Sequence, residues 1–302
     1  MMEEEINGVI PVYKPINWTS FDVVAKLRGI LHTRKIGHGG TLDPMAEGVL
    51  PVFVGKATKA CDILPDKVKM YSAGFRFGLT TDTQDITGEV IKRSSLLPKS
   101  DEFARAVTHF TGPIKQVPPM YSAVKVGGKK LYELAREGKT VEREPRERIV
   151  YGIRVIHYDP QLGQGLMRIM CERGTYVRTL IHDIGVELGC GAVMTSLVRM
   201  YSAGIDIKDC MRIEEIAMRV INQGVHSVVM PVDGCFKEYD EVRLDERLTE
   251  LYKNGVKLRP DQAGVEQNDE EERRVYGADG AFLGIAKIID GEFRSIKNFF
   301  GN

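Results

Sequence analysis

Between Gly37 and Gly48 the chain reads GHGGTLDPMAEG, and this run restricts the fold more tightly than any other. Glycines at 37, 39, 40 and 48 weaken both helix and strand, so the segment is a loop. Its backbone is free to take unusual dihedrals and to let another backbone come close. Pro44 stiffens the position just after Asp43. On the N-terminal side, TSFDVVAKLRGIL places Phe21, Val24, Leu27 and Ile30 or Leu31 at helical spacing behind a Thr/Ser start, which predicts a helix over 20–31. On the C-terminal side VLPVFVG reads as a strand.

Beyond the loop, MYSAGFRFG and GEVIKRS continue the strand signals, separated by Gly, Thr and Asp, and a helix is expected over 100–110. PPMYSAVKVGGKKLYELAREGK reads as an exposed hairpin-like excursion ending in a short helix. Strands return at IVYGIRVIHY and LMRIMCE, followed by a helix over TYVRTLIHDIGVEL with Val177, Leu180, Ile181, Ile184 and Leu188 on one face. After Asp233 the texture changes to a short helical stretch, DERLTELYKNG, and glycine-punctuated segments. The DG turn in RVYGADGAFLGIAKII indicates a hairpin within a small all-β module.

With 302 residues the chain is long enough for about two domains and a real core. Charged or Gly/Pro residues interrupt every apolar stretch before the ~18 residues needed to span a bilayer. MMEEEINGVIPVYK lacks the basic start and apolar run of a secretory signal, so a cytoplasmic protein without membrane contact is expected. Five widely spaced cysteines without a CxxC pair read as reduced thiols. Although 42 Lys+Arg balance 42 Asp+Glu overall, residues 112–154 carry ten Lys/Arg against five Glu. A locally basic stretch on a neutral protein suggests a polyanion met at one face.

Look-alike motifs fail on spacing. A P-loop needs Gly five residues before Gly-Lys-Ser/Thr; Leu50 and Ala123 stand there for Gly55-Lys56 and Gly128-Lys129, with Ala57 and Lys130 following. TDTQDITGE lacks the alternating ligands and twelfth-position glutamate of a calcium loop and reads as a turn between strands. The six histidines form neither HExxH nor a Cys/His ligand set, so no metal is expected. From local chemistry alone, Asp43 serves equally as a turn-capping residue or as a nucleophile or base held ionised by an arginine. Arg178, one turn into its helix, suits either a surface ion pair or a partner loop.

Five blocks, INGVIPVYKPINWTSFDVV, GHGGTLDPMAEGVLPVFVGKATK, KMYSAGFRFGLTTDTQD, PPMYSAVKVGGKKLYELAREG and GTYVRTLIHDIGVELGCGA, stand in that order across residues 6 to about 200. Together they resemble the TruB family of tRNA pseudouridine-55 synthases, in its bacterial standalone form. The C-terminal stretch, through RVYGADGAFLGIAKI and a Phe-rich closing strand, resembles a PUA domain. The resemblance implies an α+β fold, with a mixed, mostly antiparallel central sheet flanked by helices and loops. It implies a catalytic domain over 1–233 with an RNA-gripping insert at about 112–146, and a small PUA-like β-barrel over 237–302.

Carried onto this sequence, the resemblance makes Asp43 the catalytic aspartate and His38 the loop histidine that stacks within the RNA. Tyr71 becomes the aromatic that stacks on the flipped uracil, and Arg178 the arginine that pairs with the aspartate. Tyr176 is its neighbour in the pocket, Lys59 a basic residue near the loop and Leu197 an apolar pocket residue. Lys125, Lys129 and Lys130 in the basic insert are candidate RNA-backbone contacts. The implied reaction converts uridine to pseudouridine at position 55 of the tRNA T-loop by breaking N1–C1′ and joining C5 to C1′. Its atoms are conserved, so it needs no cofactor, and the base must be flipped from its stack. Whether Asp43 attacks the sugar, attacks the base or removes a sugar proton is open from sequence. A standalone monomer acting on tRNA without an obligatory protein partner is expected. A noncatalytic tRNA-binding or chaperone protein is the competing class; a metal-dependent nuclease using His38, Asp43 and Glu47 has too few carboxylates.

Overall fold

In the computed structural model, which describes residues 6–122 and 124–300, the first apolar run forms strand β1 (Gly8–Lys14) and Thr19 caps helix α1 (Ser20–Leu31). The cap is reciprocal. Thr19 Oγ1 accepts from the Asp22 N–H at 3.0 Å, and an Asp22 carboxylate oxygen accepts from the Thr19 N–H at 2.8 Å. Two donors that a helix start leaves open are thereby satisfied. The helix has its expected limits, and Val24, Leu27 and Leu31 of its expected face are buried, but Val23 is buried with them while Phe21 is 63% exposed. The Arg28 guanidinium lies 5.7 Å from the centre of the Phe21 ring, giving that outward aromatic a cationic partner.

The chain continues through β2 (Ile36–His38), β3 (Ala46–Val54), β4 (Val68–Phe77), β5 (Leu79–Thr81), β6 (Val90–Arg93), α2 (Ser100–His109) and β7 (Gly112–Gln116). The insert follows as a two-residue hairpin, β8 (Lys125–Val126) and β9 (Lys129–Lys130), leading into α3 (Leu131–Arg136). Then come β10 (Arg146–Asp159), β11 (Gln164–Glu172), α4 (Val177–Glu187), β12 (Ala192–Ser202), β13 (Ile205–Asp206) and α5 (Ile213–Gln223). The described chain closes with β14 (Glu241–Arg243), α6 (Glu246–Lys253), β15 (Arg273–Tyr276), β16 (Phe282–Ile289) and β17 (Glu292–Asn298). Among the described residues no helix is long and apolar enough to cross a membrane.

Packing divides the chain into two units. One holds residues 45–48 and 67–201, with strand order β3–β12–β4–β11–β10–β7. The first residues of β3 pair parallel with β12, setting Ala46 opposite Leu197 and Gly48 opposite Arg199. The pairs β4/β11, β11/β10 and β10/β7 are antiparallel, so the sheet is mixed and mostly antiparallel as expected. Side chains alternate across it. Ala73, Phe75, Phe77, Met167, Ile169 and Cys171 are buried on one face, while Arg76, Arg168 and Met170 are exposed on the other. Over the buried face, Phe103 of α2 and Tyr158 of β10 join Phe75 and Phe77 in a ring cluster with centroids 5.0–6.0 Å apart.

The other unit holds residues up to 44, 49–66 and from 202 onward. The latter part of β3 lies beside β1 and pairs antiparallel with β2. α1 and α5 supply Val23, Val24, Leu27, Leu31, Ile213 and Ile216 to a core with Ile10, Val12, Leu50, Val52 and Val54; each fully buried aliphatic side chain contributes about 1.5–3 kcal/mol. The C-terminal strands form a sheet ordered β14–β15–β16–β17 around their own core of Val242, Leu244, Val275, Leu283, Ile288 and Phe293. The expected hairpin is present, with Tyr276 opposite Phe282. The expected barrel is not closed: β14 is only three residues long, and the outer edge of β17 bonds instead to Leu258, whose N–H and carbonyl both meet Phe293, at 3.2 and 2.8 Å.

Gly48 is a point where only glycine fits. It has φ +100°, and a Cβ there would collide with the Arg199 carbonyl oxygen of the facing strand. Gly48→Ala should lower the free energy of unfolding by about 2–4 kcal/mol with the urea m-value unchanged, read from equilibrium urea denaturation.

Candidate active site

Asp43 sits, half-buried, between two immobilised peptide units. On its N-terminal side, Ser20 Oγ accepts from the Leu42 N–H at 2.8 Å and donates to the Leu42 carbonyl at 3.2 Å. On its C-terminal side the Pro44 carbonyl accepts from the Asn17 N–H at 2.8 Å and from the Lys14 ammonium at 3.4 Å. Further back, the Gly39 N–H donates to the Pro51 carbonyl at 2.8 Å. The glycine-rich loop is therefore pinned on both sides of its aspartate.

Lys14 is the unusual element, an ammonium with 0% exposure at the end of β1. Burying a cation costs several kcal/mol unless its donors are met. Here they are: the ammonium donates to the carbonyls of Pro15 (2.9 Å), Trp18 and Pro44. Asn17, with φ 65°, turns the chain so that these carbonyls converge; asparagine tolerates this left-handed conformation better than most residues. Sequence reasoning missed Lys14 and Ser20. The signal available was a lysine closing an otherwise apolar strand, GVIPVYK.

The same unit holds His38 and Lys59. His38 lies on β2 opposite Val52 of β3. Lys59, in the 3-10 turn Gly55–Asp62, donates to the Asn298 side-chain oxygen at 2.8 Å and carbonyl at 3.2 Å, so it ties that turn to the end of β17.

The second unit brings together Tyr176, Arg178 and a residue the sequence did not single out, Asp85. Tyr176 precedes α4, and its backbone is clamped by Gln116, which donates to its carbonyl at 3.1 Å and accepts from its N–H at 3.0 Å. Arg178 is 6% exposed. Its guanidinium lies 3.7 Å from an Asp85 carboxylate oxygen and donates to the Tyr121 carbonyl. The other Asp85 oxygen accepts from Thr83 Oγ1 (2.9 Å), Thr87 N–H (2.9 Å) and Thr87 Oγ1 (2.6 Å). TDTQDIT is thus the turn expected between β5 and β6, with Asp85 at its centre, and Gln84 of that turn accepts from Thr179 Oγ1 at 2.7 Å. Tyr71 is on the covered side of β4 opposite Ile169, and Leu197 is buried on β12.

The insert lysines lie on the small hairpin. Lys125 is exposed on β8. On β9, Lys129 lies 3.5 Å from Glu137, and the Lys130 ammonium is 5.4 Å from the centre of the Tyr132 ring. Burial pushes the thiols of Cys61 and Cys171 up to about 11 and about 12, and all five cysteines lie outside disulfides. On α4, burial pushes the Asp183 carboxyl up to about 6 and lowers the His182 imidazole below its ordinary value.

Residues 28–177 match the family model described as TruB family pseudouridylate synthase (N terminal domain), and residues 178–237 match that of the tRNA pseudouridylate synthase B C-terminal domain. A protein of Clostridium acetobutylicum named tRNA pseudouridine synthase B is 38% identical over 292 residues, covering 97% of this chain and 99% of its own. One of the same name from Lachnoclostridium phytofermentans is 44% identical over 290 residues, covering 93% and 94%. Among solved structures, a chain of a Cbf5-Nop10-Gar1 complex superposes with a TM-score of 0.75 at 25% identity, covering 97% of this chain and 85% of that one.

Two outcomes follow from the second unit. Asp85→Ala removes a buried carboxylate together with its contact to Arg178 and the three hydrogen bonds it accepts from Thr83 and Thr87, so it should cost about 3–5 kcal/mol of stability in urea unfolding. Asp183 titrates higher in the fold than in the unfolded chain, where its value is 3.8. Between roughly pH 4 and 6 the native state holds more protons, so this group's contribution to stability falls as pH rises through that window. Asp183→Asn should abolish that decline, seen as a stability difference from wild type that grows from pH 4 to pH 7.

Proposed function

The chain belongs to the TruB family of pseudouridylate synthases, and on that footing we propose that it isomerises uridine to pseudouridine in tRNA, at position 55 of the T-loop, with Asp43 as the reacting carboxylate. The observation that supports Asp43 most directly is the pinning of its loop. A reacting group is effective when its geometry is set before substrate arrives, and the Ser20 and Lys14–Asn17 contacts immobilise the peptides on either side of this one aspartate.

The reaction balances within the nucleoside. The N1–C1′ bond breaks, the uracil turns, C5 bonds to C1′, the proton on C5 leaves to water and N1 takes up a proton. Asp43 assists either as nucleophile or as base. Tyr71 receives the face of the extruded base, Leu197 supplies apolar surface, and Tyr176 and Arg178 contact the nucleotide, the guanidinium oriented by Asp85 and the Tyr121 carbonyl. His38 stacks within the RNA loop, and Lys59 adds positive charge beside it. Lys125, Lys129 and Lys130 meet phosphates. We assign residues 1–233 to catalysis and 237–302, which have their own apolar core, to RNA binding. The protein works as a monomer in the cytoplasm, without guide RNA or protein partner.

Asp43→Asn keeps the size of the side chain and removes its charge. With tRNA tritiated at uridine C5, the wild type should release label to water in EDTA, while Asp43→Asn should release at least a thousandfold less and still bind tRNA. Full activity in this variant would remove Asp43 from its role. Tight binding with no release by the wild type would favour a noncatalytic tRNA-binding protein.

A further inference from the structure

The open face of the β4–β11–β10 meander, on the opposite side from Tyr71, carries a row of arginines that the catalytic reading does not use. Register sets Arg154 of β10 directly across from Arg168 of β11, which in turn faces Ser72 of β4. Arg76, four residues beyond Ser72, faces Gln164 on the same side of the sheet. All three arginines are exposed. Among the described residues none of the three has an ion pair or a side-chain hydrogen bond. Like charges directly opposed on neighbouring strands destabilise a sheet, so this arrangement does nothing for the fold that carries it.

The surroundings narrow the choice of partner. Between the ends of the face the other exposed side chains are apolar or uncharged: Met70 beside Met170, Leu166, and His157 opposite Leu166. Among the described residues of these strands, Asp159 and Glu172 stand at the ends of the face. Asp159 spends one oxygen on the N–H groups of Gln161 and Leu162, and Glu172 lies opposite Val68. Arg76 is displaced from the Arg154–Arg168 pair by roughly 13 Å along the strands, too far for one phosphate to reach all three. A run of nucleic-acid backbone has the required spread of negative charge, and guanidinium groups pair with phosphate in fork geometry.

We propose that this face is a second RNA-binding surface, on which Arg76, Arg154 and Arg168 hold phosphates of the RNA backbone while Met70, Met170 and Leu166 meet its sugars or bases. The proposal rests on the reading that the substrate is RNA and extends the footprint beyond the pocket and the insert. It is tested with unmodified, fluorescently labelled tRNA, whose affinity is measured by anisotropy over a range of salt concentrations. Three proteins are compared: wild type, the triple Arg→Gln variant at 76, 154 and 168, and the triple Arg→Lys variant. The Gln variant should bind about tenfold more weakly, with a log Kd against log salt slope lower by about two units, since each lost phosphate contact removes about 0.7–0.9. The Lys variant should keep the wild-type slope, and urea unfolding should show both variants as stable as wild type. A Gln variant with unchanged affinity and slope would overturn the proposal. So would equal weakening in both variants, because that loss would not follow charge. Tritium release by the wild type is scored separately, so a failure of the catalytic reading is not confused with a failure of this surface.

Discussion

A single buried ammonium organises the region around Asp43, to which we assign the chemistry. Lys14 ends an apolar strand, has no exposure to water, and finds its hydrogen-bond acceptors in main-chain carbonyls from Pro15, Trp18 and Pro44. Because the cation is costly to bury without them, those carbonyls are held wherever the ammonium is held. The strand end, the turn through Asn17 and the proline after Asp43 therefore behave as one rigid piece. Arginine could not substitute: its planar fork would need a differently spaced set of acceptors.

Much of the local structure was legible because it rests on short-range signals. The capping box placed α1 at Ser20–Leu31, the helix over 100–110 appears as Ser100–His109, and the DG turn gave the β15/β16 hairpin. On α1 the expected inward residues Val24, Leu27 and Leu31 are buried, and Phe21 alone departs. Phe21 fits the apolar spacing, but Val23 fills that side, and the aromatic ring is accommodated outside by Arg28. Helix α5 escaped notice because exposed Met218 and Ile221 blur its apolar stripe of Ile213 and Ile216.

The candidate site residues rest on the family resemblance, whereas the contacts that support them in the fold were not legible in the sequence. Nothing local marks Ser20 as the partner of Leu42, twenty-two positions away, or Asp85 as the partner of Arg178. Those pairings depend on tertiary placement, which spacing along the chain does not encode. The open C-terminal sheet has the same origin: alternation and turn chemistry specify strands, whereas closure depends on which backbone reaches the last edge, and here Leu258 does.

The parallel pairing of β3 with β12 also has a consequence for how the protein is made. Ala46–Gly48 find their partners at Leu197–Arg199, about 150 residues later in the chain. Contacts of such sequence separation form late, because the intervening loop must close before the pairing stabilises anything. At about 5–20 residues per second of synthesis, the stretch just after Asp43 waits on the order of 8–30 s for β12 to be translated. During that interval the short edge Ala46–Gly48 stands without its β12 partner, while the apolar run that follows it has β1 and β2 already made beside it. Glu47 beside Gly48 then has a second use, as a charge and a break that discourage neighbouring nascent chains from pairing at this edge.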